Sequence, residues 1–126
     1  MKTRRPPKTA KFTGKVVYLA GAYSRGGKAS PCERIDNLKI MDICGIILWK
    51  FGAAVIHPVR NTYLDDLEHV IGYEAIIAGD LLLLAKCDMV VMCPNWANST
   101  GARREHAYAL EHKKPVYYMT SEGKVT

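Results

Sequence analysis

The chain has 126 residues, 48% hydrophobic and 24% charged, the balance of one globular domain rather than of a disordered chain or a pair of domains. Its longest apolar run, Gly79 to Ala85, already contains Asp80 and falls far short of the ~20 residues of a membrane-spanning helix. The formal net charge is +6, and Lys2, Arg4, Arg5, Lys8, Lys11 and Lys15 account for all of it, so a basic nucleic-acid-binding surface on the rest of the chain is not indicated.

Residues 1–14 read as a basic tail with Pro6 and Pro7. Such a tail either contacts a polyanion such as nucleic acid or simply keeps the terminus solvated. It lacks the apolar stretch of a signal peptide, so the protein is expected to act in the cytoplasm. Residues 15–126 are expected to form the domain. Lys15 to Ala20 is an apolar run suited to a buried strand, and Gly21 to Pro31 is a glycine-bearing loop. From Glu33 to Phe51, residues Leu38, Met41, Gly45, Leu48 and Gly52 recur at helical spacing. Ala53 to Ile56 reads as a second strand, ended by His57 and Pro58. Val59 to Gly72 shows no clear period and suggests a rim loop with a short helix. A helix over Tyr73–Lys86, a strand over Asp88–Cys93, a loop over Pro94–Thr100, a helix over Gly101–His112 and a strand over Pro115–Met119 complete the chain.

Strands alternating with helices at this spacing predict an α/β fold: a parallel sheet of four to five strands in a three-layer, flavodoxin/Rossmann-like arrangement. Ligands in such sheets bind beyond the carboxyl ends of the strands, which selects the loops Gly21–Pro31, His57–Asp66 and Pro94–Gly101. Cys32, Cys44, Cys87 and Cys93 form no CxxC pair, and the four histidines do not fall at HExxH spacing. No metal or other cofactor is expected, and Cys44, Cys87 and Cys93, among apolar neighbours, read as core residues.

The first loop, Gly21-Ala-Tyr-Ser-Arg-Gly-Gly-Lys28, matches neither a Walker loop nor GxGxxG. Its glycines, with Ser24, Arg25 and Lys28, suit an anion, and they equally suit an ordinary strand-to-helix turn. In Asn95-Trp-Ala-Asn-Ser-Thr-Gly-Ala-Arg-Arg-Glu105, Asn98, Ser99 or Thr100 can cap the next helix. Glu105 lies there between Ala102 and Ala109, on the border of a small-residue face; it is either a solvated helix carboxylate or a group at the mouth of a cleft. Asp80, before Leu81-Leu-Leu-Leu84, is either a polar stripe residue or a second carboxylate facing that cleft. Two facing carboxylates are the minimal equipment for glycosyl chemistry.

With those residues in place, the sequence resembles the nucleoside 2-deoxyribosyltransferase-like superfamily and its small, often phage-encoded members. The resemblance runs from about Lys15 to Met119. It rests on Tyr18-Leu-Ala-Gly21, on Asp80 with Cys87-Asp88, on Trp96-x-x-Ser99-x-Gly101-Ala102-x-x-Glu105-x-x-x-Ala109, and on Lys114-Pro115-Val116. It implies that Glu105 is the nucleophile, that Tyr18 positions it and that Asp80 supports it. Family transferases carry Asp where this chain has Ser99, whereas the branch hydrolysing nucleoside 5′-monophosphates carries Ser and a similar Ser-Arg-Gly-Gly loop. The resemblance therefore implies an N-glycosidase acting on a nucleotide, with base-exchanging transfer and non-catalytic nucleotide binding as alternatives. The expected substrate-binding set is Gly21, Ser24, Arg25, Gly26, Gly27, His57, Trp96, Ser99 and Gly101. Arg103 and Arg104 either tune the site or face solvent. The resemblance also implies a dimer or larger assembly, with Tyr63, Tyr73, Trp96 and Tyr108 as plausible aromatic anchors.

Overall fold

In the computed structural model, which describes residues 10–62 and 67–126, strand β1 (Val16–Ala20) alternates perfectly between two cores. Val17 and Leu19 point into one and Tyr18 and Ala20 into the other, the signature of a strand covered on both faces. Helix α1 (Pro31–Lys50) and strand β2 (Ala54–Ile56) follow, then short helices α2 (Pro58–Asn61) and α3 (Leu67–Ile71), and α4 (Tyr73–Ala85). Strand β3 (Met89–Met92), a 3-10 turn over Trp96–Asn98, helix α5 (Thr100–Glu111) and strand β4 (Val116–Tyr118) end the regular structure. All four strands are parallel and lie in the order β2-β1-β3-β4. The fold is thus α/β with a flavodoxin/Rossmann-like sheet, as the alternation predicts.

Each strand is shorter than its apolar run by one or two residues, while α1 begins two residues earlier than its periodicity suggests. The cause is local chemistry: Ser30 Oγ accepts the Glu33 N–H at 3.1 Å, and Pro31 occupies the first helical position, where its missing N–H costs nothing. Asn37, Leu38, Met41, Cys44, Gly45 and Leu48 form the buried face of α1. The unpatterned stretch before Tyr73 contains two helices rather than one, although part of it, including Tyr63 to Asp66, lies outside the described residues.

One helix, ~10 Å across, is too narrow to cover four strands spaced ~4.8 Å apart. The chain ends complete that face. Phe12 is buried between Phe51, 5.9 Å away, and Tyr117, 5.3 Å away, so the domain begins before residue 15 and not at it. The basic residues Lys2, Arg4, Arg5 and Lys8 lie outside the described residues. At the other end Thr126 N–H bonds back to Tyr118 O at 2.9 Å, and Val125 packs on the same core. Helices α4 and α5 cover the opposite face through Leu84 and Ala109. Cys44, Cys87 and Cys93 are buried core residues and Cys32 is exposed. Among the described residues no helix is long and apolar enough to cross a membrane.

Candidate active site

The strand order reverses direction between β1 and β3, so the loops after these two strands part there and open a crevice. A cleft of about 790 Å³ lies there. Its walls are the loop after β1, the first turn of α1, the α2–α4 region and the start of α5. Gly21 is tightly enclosed: a Cβ there would stand 3.0 Å from both Cys93 Cβ and Met41 Cγ, and these neighbours would have to give way. Gly101 is under a softer constraint, since its Cβ would meet Ile77 Cδ1 and the Tyr73 hydroxyl at 2.9 Å, both at the ends of flexible side chains.

Glu105 sits on α5 between the buried Ala102 and Ala109 and is itself only 4% exposed. The Tyr18 hydroxyl, fully buried on β1, donates a hydrogen bond to Glu105 Oε2. Asp80 comes from α4, is buried, and lines the same cleft. These three residues, far apart in sequence, are therefore brought together at the cleft floor, with Tyr18 behind Glu105. Loss of hydration pushes the Glu105 carboxyl up to about 8; the Tyr18 hydrogen bond opposes the rise and the Asp80 charge adds to it. Burial likewise pushes Asp80 up to about 6. Burial first, then the Glu105 and Asp80 charges, hold the Tyr18 phenol well above its usual range, so it stays a donor. Between pH 6 and 8 the carboxyl pair holds one proton and one negative charge.

The first loop is wound tightly. Arg25, Gly26 and Gly27 take positive φ of 51°, 70° and 90°, and the Ser24 carbonyl accepts the N–H groups of Gly27 and Ala29 at 3.0 and 2.9 Å. The Gly27 amide is therefore used inside the loop rather than offered to a ligand. Arg25 is also engaged: its Nε and Nη2 grip the Glu33 carboxylate at 2.5 and 2.9 Å. The cation whose charge remains uncompensated at the cleft is Arg34, which the sequence reading passed over. It lines the cleft, donates from Nε to Ala29 O at 3.2 Å and lies over the Tyr23 ring at 5.6 Å. Among the described residues it has no acidic partner. Ser24, Gly26, Ser99 and Gly101 line the cleft as expected, and Ser99 Oγ caps α5 by accepting the Ala102 N–H at 3.1 Å.

Two expected binding residues do not reach the cleft. His57 turns to α1, where Nε2 meets Asp42 Oδ1 at 2.9 Å, and its Nδ1 accepts the Arg60 N–H as the cap of α2. Trp96 packs against His106 and Tyr118, with ring centroids 4.3 and 6.2 Å away. Arg103 and Arg104 face outward. The first bonds Ala97 O and Thr100 Oγ1, and the second bonds Glu74 at 3.0 Å. Asp88 serves the strand, accepting the Val16 N–H at 2.7 Å. Lys114 ties down the end of α4, donating to Ala85 O at 2.8 Å and Cys87 O at 2.5 Å.

Sequence reasoning also missed the bridge across the crevice. Asn37 Nδ2 donates to Tyr23 O at 2.9 Å, Asn95 Nδ2 donates to Asn37 Oδ1 at 3.1 Å, and Asn95 Oδ1 accepts the Ala22 N–H at 3.4 Å. Asn37 carried a signal: it is a polar residue four positions before Met41, on the buried stripe of α1.

No curated protein sequence matches the chain. The family model described as "Domain of unknown function (DUF4406)" matches residues 15–118, a span that holds all four strands and every residue at the cleft floor, and the chain belongs to that family.

Proposed function

We propose that this protein is an N-glycosidase that hydrolyses the base–sugar bond of a nucleoside 5′-monophosphate in the β1–β3 crevice. One observation carries the reading: a buried carboxyl, Glu105, held by the Tyr18 hydroxyl and set beside a second buried carboxyl, Asp80. Burial at this level is costly for a carboxylate and is a mark of reactive sites more than of structural ones.

The proton count supports the same chemistry. The proton passes within the pair from Glu105 to Asp80, the Glu105 carboxylate attacks C1′ as the C1′–N bond breaks, and Asp80 gives the proton to the departing base. The product is a glycosyl ester on Glu105. Water then attacks C1′, the ester bond breaks, and the water's second proton returns to the pair. Tyr18 keeps the non-attacking oxygen in place and stabilises the carboxylate when it re-forms.

Arg34 supports a phosphate-bearing substrate. It supplies an uncompensated guanidinium, pre-set over Tyr23, on a wall of the cleft that holds Glu105. The Ser99 hydroxyl at the start of α5 adds an anion-tolerant helix terminus on the same rigid element as the nucleophile. Phosphate binding energy can then orient C1′ against Glu105.

The test is base release from a panel of nucleotides and nucleosides, followed by chromatography. Free base plus sugar 5-phosphate, formed without added base, is the expected result, and Glu105→Ala should abolish it. Product formed only when a second base is supplied would make the protein a transferase. Tight nucleotide binding without any release would make it a non-catalytic module.

A further inference from the structure

The aromatic residues expected to anchor a second subunit are engaged elsewhere or lie outside the described residues. Trp96 stacks on His106, Tyr108 stacks on His112 at 3.9 Å, and Tyr73 stands at Gly101. Tyr63 lies outside the described residues. The apolar surface is found instead on α1. Ile35 is 52% exposed, Ile43 57%, Ile46 54% and Trp49 58%, although the opposite face of the same helix is already buried on the sheet. At 100° per residue these four side chains occupy an arc of roughly 120°. A helix that is apolar on both faces belongs in an interior, and here half of that interior is missing.

The charges along this stripe indicate what completes it. Asp36 and Lys50 are exposed, have no ionic partner among the described residues, and lie seven residues on either side of Ile43. Each is thus ~10 Å along the helix axis from that centre, in opposite directions. We propose that α1 packs antiparallel against α1 of a second copy about a two-fold axis near Ile43. Asp36 of each chain then meets Lys50 of the other, twice over, as an isologous contact requires. Ile43 and Ile46 fill the centre, and Ile35 and Trp49 the two ends. A 20-residue helix, ~30 Å long, has the straight extent such a pairing needs. A lipid surface fits less well, because Lys39 and Lys50 on this face are balanced by Asp36 and Asp42, where an anionic bilayer demands a net excess of cations. The inference is independent of the chemistry in the cleft.

Sedimentation velocity at ~50 µM should give twice the 14.0 kDa chain mass. Ile43→Glu should give a folded 14.0 kDa species, with folding checked by circular dichroism. Asp36→Lys and Lys50→Asp should each raise the dimer Kd at least tenfold, and the double variant should return it to within about threefold of wild type, since the pair is restored with its charges exchanged. In a Cys32→Ser background, Ile43→Cys should form an interchain disulfide with copper–phenanthroline. A wild-type monomer at this concentration overturns the proposal, and cosedimentation of that monomer with phosphatidylglycerol vesicles would reassign the face to a bilayer. A dimer insensitive to Ile43→Glu, or a charge exchange without recovery, overturns it as well.

Discussion

The Glu105→Gln variant should be more stable than the wild type, and the gap should grow with pH. Raising this carboxyl from its ordinary 4.5 to about 8 corresponds to about 5 kcal/mol at 1.36 kcal/mol per tenfold change in proton affinity. The folded state holds the proton more tightly than the unfolded chain. The wild-type contribution is therefore fully present below pH 4.5, declines through neutrality, and is lost once pH exceeds about 8. Gln keeps the shape and the acceptor for the Tyr18 hydroxyl but cannot ionise. Burial of Asp80 produces a loss of the same sign between 3.8 and about 6, and both proteins share it. Urea unfolding from pH 4 to 9 should give nearly equal stabilities at pH 4, a gap of about 3 kcal/mol at pH 7, and about 5 kcal/mol at pH 9. Against a total stability of ~5–15 kcal/mol, that gap is large. Stability curves that run parallel across this range would refute the claim that Glu105 is buried as an acid.

Three further outcomes follow from the same geometry. The pH profile of kcat/KM should be bell-shaped, with limbs near 6 and 8, because only the singly protonated pair has both a carboxylate and a proton to give; Asp80→Asn should move the basic limb down, since the Asp80 charge helps to raise Glu105, and an unmoved limb would separate the two groups. Arg34→Gln should cut kcat/KM for a nucleoside 5′-monophosphate ten- to a hundredfold and leave the nucleoside nearly unchanged; Arg25→Gln, already paired to Glu33, should have the smaller effect, and the reverse order would show that the Arg25 pair opens. Gly21→Ala should destabilise the fold by about 1–3 kcal/mol, because its methyl meets Cys93 and Met41 at 3.0 Å; a chemical-denaturation midpoint equal to that of wild type would show that the crevice relaxes.

The sheet was legible because its strands are short apolar runs between glycine and proline, and both of its faces are covered. Asp80 was legible as a lone carboxylate beside four leucines and Glu105 by its place between Ala102 and Ala109, whereas Tyr18 entered only through the resemblance. What escaped the sequence was pairing. Nothing in the order of residues says that Glu33 takes Arg25 and leaves Arg34 unpaired, or that Asp42 turns His57 away from the cleft. Trp96 suggested a ligand contact because of its neighbours, but His106, one turn beyond Arg103, offered it a closer ring. The polar C-terminal segment had no period to read, and its return beside β4 depends on backbone bonds that any side chains permit.

The Asn37–Asn95 bridge has a mechanical consequence. It joins the loop after β1, the first third of α1 and the loop after β3 into one body, and that body carries Arg34 and the ring beneath it. Glu105 is fastened to this body through Tyr18, and Ser99 through the short turn that follows Asn95. Asp80 and Tyr73 are on α4, which packs on the same sheet face through Leu84 and is joined to α5 by the Glu74–Arg104 pair. One connected body thus bears both the nucleophile and the cation. Loss of the bridge in Asn37→Ala should therefore lower turnover, although Asn37 touches neither carboxyl.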